Sequence, residues 1–113
     1  MILAIDENDA LHVFTSVEDA ERELEAIDVQ QSVLEFSDGR GQRFSPVYTR
    51  PPTETRIGPI GIVDIGAFRL LAVGEIDPSL PQSFIKRATY IEHTSIPSIT
   101  TLQELQNEVQ RQA

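Results

Sequence analysis

The chain has 113 residues, no cysteine, 40% hydrophobic residues and a formal net charge of −9. That length suits a single domain spanning 1–113, which would bury roughly 65% of the surface its unfolded form exposes and so needs no staple. The composition excludes a disulfide framework and a thiolate metal site, and disfavours disorder. The acidic balance argues against nucleic acid and anionic membranes as partners, because both are met by Lys and Arg.

Met1 to Ile5 is apolar without alternation, the pattern of a strand buried on both faces. It has no basic flank to make it a signal peptide, and no run approaches the ~18 apolar residues of a membrane helix. A soluble, cytoplasmic protein is expected. Asp6 to Asp9 is turn chemistry, and Leu11 to Phe14 reads as a returning strand. Thr15 with Glu18, or Ser16 with Asp19, has capping-box spacing, and Val17, Ala20, Leu24 and Ile27 form one stripe of a helix over about 17–27.

Val33 to Ser37 and Gln42 to Thr49 flank a three-residue turn, Gly39-Arg40-Gly41, with Gly41 at the left-handed position. That register sets Phe36 opposite Phe44 and Leu34 opposite Pro46, so the aromatics share one face; Pro46 puts its strand at an edge or a bend. The proline-bearing stretch 49–59 reads as a loop. Ile60 to Ile65 and Phe68 to Val73, joined at Gly66, read as the central hairpin of the sheet. Pro78 and Pro81 open a helix over Gln82 to Tyr90, and Thr100 or Thr101 caps a last helix whose buried stripe is Leu102, Leu105 and Val109. The fold expected is α+β: an antiparallel sheet of about five or six strands with two or three helices packed on one face.

Charge is segregated along the chain. Residues 1–38 carry eleven acids and one base, whereas 39–113 carry seven acids and eight bases. On the first helix Glu18, Glu21, Glu25 and Asp28 are spaced to stack in one column, joined by Asp6, Glu7 and Asp9 of the preceding turn. Like charges in such a column cost about 0.2–0.5 kcal/mol per adjacent pair, partly offset by Arg22. A solvated helix face accounts for them simply; a docking surface for a basic protein is the functional alternative. Eight of the nine basic residues are Arg. Bidentate pairing with those carboxylates and codon usage each explain that skew.

An EF-hand match beginning at Asp6 and Asn8 fails, since Ala10, Leu11 and Val17 stand where oxygen ligands and a glycine are required. Neither a metal nor a cofactor is expected. His12 reads as a half-exposed strand residue, and Glu92-His93-Thr94-Ser95 gathers acid, base and hydroxyl only along the chain, whereas a catalytic triad is spatial. Gly58-Pro59-Ile60-Gly61 lacks the residues of a phosphate loop, so catalysis is not expected.

The stretch Val17-Glu-Asp-Ala-Glu-Arg-Glu-Leu-Glu-Ala-Ile-Asp28, followed by Leu34-Glu-Phe-Ser-Asp-Gly-Arg-Gly-Gln-Arg-Phe44, resembles the small acidic immunity proteins of bacterial toxin–immunity pairs. The resemblance implies a non-enzymatic cytoplasmic inhibitor that occludes the active site of one cognate, basic toxin domain. Glu18, Glu21, Glu25, Asp28, Asp6, Glu7 and Asp9 are then the expected contact residues, with the 50–59 stretch next. The alternative is a structural or regulatory interaction module, a homodimer joined through sheet edges or the last helix, without a toxin partner.

Overall fold

The computed structural model describes residues 1–24, 29, 34–50, 53–64 and 66–112. At its centre stands β1 (Ile2–Ile5), all four residues of which are buried. Ile2 and Ala4 face one side, and Leu3 and Ile5 the other. A strand with no polar alternation has no face to give to water, so layers form on both sides of it. On one flank β1 pairs antiparallel with β2 (Ala10–Phe14), and on the other with β3 (Glu35–Asp38). Beyond β3 lie β4 (Arg43–Arg50) and β7 (Ala67–Val73), both antiparallel. Beyond β2 lies β8 (Tyr90–Thr94), which runs parallel to it. The sheet is therefore six-stranded and mostly antiparallel, ordered β7-β4-β3-β1-β2-β8. With three helices described, the class is α+β, as expected.

The helices divide between the faces. On one, α2 (Leu80–Arg87) and α3 (Leu102–Gln112) set Leu80, Phe84, Ile85, Leu105 and Val109 on Leu3, Ile5, Leu11 and Val13. On the other, α1 (Val17–Glu23) sets Ala20 with Ile2, Ala4, Phe14, Phe36, Phe68 and Leu70. The one-face arrangement thus holds for α2 and α3, while α1 covers the face that the apolar run of β1 also presents.

Ser16 caps α1, its Oγ accepting from the Asp19 N–H at 3.1 Å. The helix stops at Glu23, short of the predicted residue 27, with Leu24 already extended. Glu23 opposes the negative end of the helix dipole at this last turn, and Ile27 of the predicted stripe lies outside the described residues. Thr101 caps α3, its Oγ1 accepting from the Glu104 N–H while Glu104 reaches back to the Thr100 N–H. Thr101→Ala is expected to lower stability by about 1 kcal/mol, read from the denaturant midpoint at unchanged slope.

Phe36 does pair with Phe44, and Gly41 has φ +97°. Asp38 closes this turn, its Oδ1 accepting from the Arg40 and Gln42 N–H groups at 2.9 Å each. On its β7 side Pro46 lies opposite Leu70, while on its β3 side the paired ladder holds Phe36 and Ser37 and does not reach Leu34, which precedes the strand. The Leu70 N–H points off the outer edge, so this is a non-hydrogen-bonded pair in which the missing proline N–H breaks no bond to β7.

Three expectations are corrected. Ile60 to Asp64 and Phe68 to Val73 do not pair with each other, Ile65 lying outside the described residues: β6 (Ile60–Asp64) pairs with β5 (Thr53–Ile57) as a separate ribbon, and β7 returns to β4 at the sheet edge. The 49–59 stretch is accordingly not all loop; Pro51 and Pro52 lie outside the described residues. The end of the second helix also moves: α2 ends at Arg87, and Tyr90 begins a strand, with Tyr90, Ile91 and Thr94 its strand-favouring residues, that pairs with the distant β2.

Candidate functional site

The turn between β1 and β2 is built by Asp6. Its Oδ1 accepts from the Asn8 N–H at 2.8 Å and the Ala10 N–H at 3.1 Å, and Asp9 takes a left-handed φ of +59° to close the turn. With Oδ1 so engaged, Oδ2 faces the His12 Nε2 at 3.2 Å. Burial works to raise the Asp6 carboxyl, but the hydrogen bonds from Ala10, His12 and Asn8 outweigh it and hold the group below the usual carboxylate range. The His12 side chain is 15% exposed, lying over the α1 face beside Ala4.

A bulge completes the cluster. Between Leu11–Ile91 and His12–His93 the register with β8 slips by one, leaving Glu92 without a partner on β2. Such an extra residue re-aims its neighbours. Glu92 and His93, which a regular strand would send to opposite faces, both line the cleft beside His12. The Glu92 Oε2 stands 3.5 Å from His12 Nε2, and the ligand atoms of Asp6, His12 and Glu92 all lie within 4.8 Å of one another. His93 packs its ring on Phe14 at 5.4 Å between centroids. Its Nε2 is the one buried side-chain nitrogen or oxygen among the described residues that makes no hydrogen bond.

The walls are held by a latch. Asp19, on the first turn of α1, accepts from the Ser95 hydroxyl just after β8, from the Thr15 N–H and hydroxyl at 3.1 Å, and from Arg22 at 2.6 Å. The Ser95 bond chiefly, then those from Thr15 and Arg22, hold its carboxyl below the usual range against the opposing effect of burial. This fastens α1 to β8 across 76 residues of sequence.

Between them runs a cleft of two adjoining cavities, about 270 and 280 Å³, that share His12, Leu24 and Glu92. Four carboxylates line it: Asp6, Glu7, Glu23 and Glu92. Among the described lining residues there is no Lys, Arg, Ser, Thr or Cys. The nearest described counter-charge is Arg22, 3.8 Å from Glu23 and already bonded to Asp19. A larger cavity of about 440 Å³ lies by the β3–β4 turn, α2 and α3, but Arg40 is its only ionisable lining residue among those described, so it offers volume without chemistry.

The seven expected contact residues are not gathered into one face. Glu18 is exposed on the first turn of α1. Glu21 turns to the sheet edge, accepting from the Leu70 N–H at 2.7 Å and lying 3.6 Å from Arg69. Asp9 lies 3.9 Å from Arg87, which holds Glu35 at 2.6 Å. Asp6 and Glu7 line the cleft. Glu25 and Asp28 lie outside the described residues. In the sequence His12 is legible only as a half-exposed strand residue, and Glu92 and His93 only as part of a linear run; the bulge that gathers them depends on a strand pairing between chain segments 80 residues apart, for which a sequence carries no local signal.

Compared with protein-family models, curated proteins and solved structures, the chain has no match.

Proposed function

We propose that the protein is a non-enzymatic inhibitor of a basic protein, an immunity protein in the sense of the resemblance above, and that the anionic cleft is where a cationic side chain of the toxin docks. One observation supports this above the rest: four carboxylates meet in a concave site whose described lining holds no Lys or Arg. Such a concentration of one sign in a low-dielectric cleft focuses the field and steers a cationic partner. The proposed contact lies at the α1 end of the cleft, on Glu23 and Glu92 and not on the helix column, since Asp19 and Glu21 serve the fold. A catalytic reading has in its favour that His12 and His93 share the cleft with carboxylates, but the described lining supplies no side-chain nucleophile, so it would have to act through water.

The test is co-purification from the native cell followed by association kinetics with the captured protein. Glu23 and Glu92 are 44% and 52% exposed, so E23Q/E92Q is expected to fold normally. It should slow association about 10-fold at low ionic strength, with the difference vanishing as salt screens the cleft. Capture of no basic protein, or an on-rate indifferent to both salt and the substitutions, overturns the proposal.

A second reading has one observation in its favour. The α2/α3 layer leaves the matching face of β4 and β7 uncovered, with Val47, Leu71 and Val73 at 45%, 53% and 39% exposure. Self-association there gives the interaction-module alternative. Sedimentation at several concentrations decides: a dimer supports it, and a monomer throughout removes it.

A further inference from the structure

We propose that Asp6, His12 and Glu92 form a binding site for a divalent first-row transition ion of the zinc class. It shares Glu92 with the docking site proposed above, and a bound dication would offset two of the four carboxylates, leaving Glu7 and Glu23 to keep the cleft acidic.

The donor set argues for that class. One imidazole nitrogen with two carboxylates suits zinc and its neighbours, whereas calcium and magnesium take shells of oxygen. The spacing agrees. Bonds of about 2.0–2.1 Å in a tetrahedron separate ligand atoms by about 3.3 Å. The His12 Nε2 stands 3.2 Å from Asp6 Oδ2 and 3.5 Å from Glu92 Oε2, with the third separation no more than 4.8 Å. Closing that last gap requires movement only of Glu92, whose side chain is half exposed.

The supporting shell is already in place. Asp6 cannot swing away, because its Oδ1 is fixed by the Asn8 and Ala10 N–H groups while Oδ2 points at the site. A ligating carboxylate held in this way by hydrogen bonds is how metal sites orient their donors. His12 is fixed in β2 opposite Ala4 and beside His93. The bulge in β8 that sends Glu92 to this side would otherwise forfeit a ladder position for nothing.

A second observation points the same way. His93 lines the same cleft, and its buried Nε2 has no hydrogen-bond partner. Native structures rarely leave such a group unsatisfied, and a water or an ion within the cleft is among the partners that satisfy one. His93 thus adds an imidazole without a hydrogen-bond partner to the cleft wall that Glu92 and His12 also line, outside the three-donor group itself.

Titration of the untagged full-length chain with zinc chloride, followed by calorimetry, tests this directly. One equivalent is expected to bind. E92Q and H12Q should each weaken it at least about 10-fold, the loss typical even of groups that only orient ligands. Cobalt(II) in place of zinc should give the visible absorption of a four-coordinate site, lost in E92Q. Because Glu92 is half exposed, E92Q retains the fold, checked by its circular dichroism. Absence of heat and of the cobalt band in the native sequence overturns the proposal, as does an E92Q protein that binds zinc as the native one does.

Discussion

Asp19→Asn is expected to lower stability by about 3 kcal/mol at neutral pH, since removing a charge from a buried, multiply bonded site strands the groups that served it. For a domain of this size that loss corresponds to a fall of about 10 °C or more in Tm. Asp19 is only 5% exposed, and it accepts from Ser95, Thr15 and Arg22 at once. Asparagine keeps one acceptor oxygen but places an amide where hydroxyl and guanidinium donors point. The deficit should depend on pH in a defined direction. The folded carboxyl titrates below its ordinary value of 3.8, so its contribution is complete above that value. It is lost as pH falls through the lower folded value, because below both values the two states bind the same proton. Native protein and variant should therefore converge in acid, read from denaturant midpoints between neutral pH and the carboxylate range. A deficit that stays constant to low pH would show that the carboxylate charge is not what the site requires.

Gly41→Ala is expected to cost about 3 kcal/mol or more, and Gly58→Ala only about 1 kcal/mol, both measured by denaturant unfolding. Each glycine has a positive φ, +97° and +61°, so each substitution meets backbone strain. Their surroundings differ. A Cβ on Gly41 would lie 1.7 Å from the backbone oxygen of Asp77, whereas on Gly58 it would meet nothing within 4 Å. At Gly41 the backbone of the Asp77 segment would have to retreat, breaking the 3.0 Å bond from the Asp77 N–H to the Gly41 carbonyl. The difference between the two variants isolates the close approach from the strain. Equal losses would mean that the segment before α2 yields freely and that this contact fixes nothing.

Local chemistry made much of the fold legible. The unbroken apolar run of β1, the Ser16 and Thr101 caps, the Gly41 turn and the Phe36–Phe44 register each depend on a few neighbouring residues, and each is found. What escaped depends on distance. Two apolar runs joined by a glycine look like a hairpin, yet β7 finds its partner in β4, some two dozen residues back. Tyr90 to Thr94 follows a helix without punctuation, and only the open edge of β2 makes it a strand. The same limit governs the candidate site. Asp6 and His12 belong to one visible turn, but Glu92 and His93 reach them through a bulge in a long-range ladder. Acidic residues read together by position part company in space, because the fold spends Asp19 and Glu21 on its own joints.

That β8 closes against β2 has a consequence for synthesis. At about 5–20 residues per second, a ribosome delivers Glu92 roughly 4–16 s after His12. Throughout that interval the nascent chain holds half of the cleft and none of its closure. A premature stop just before Glu92 would remove α3 along with the wall that Glu92 and His93 supply, so the cleft and the cover over Leu3, Ile5, Leu11 and Val13 are completed by the same last stretch of chain.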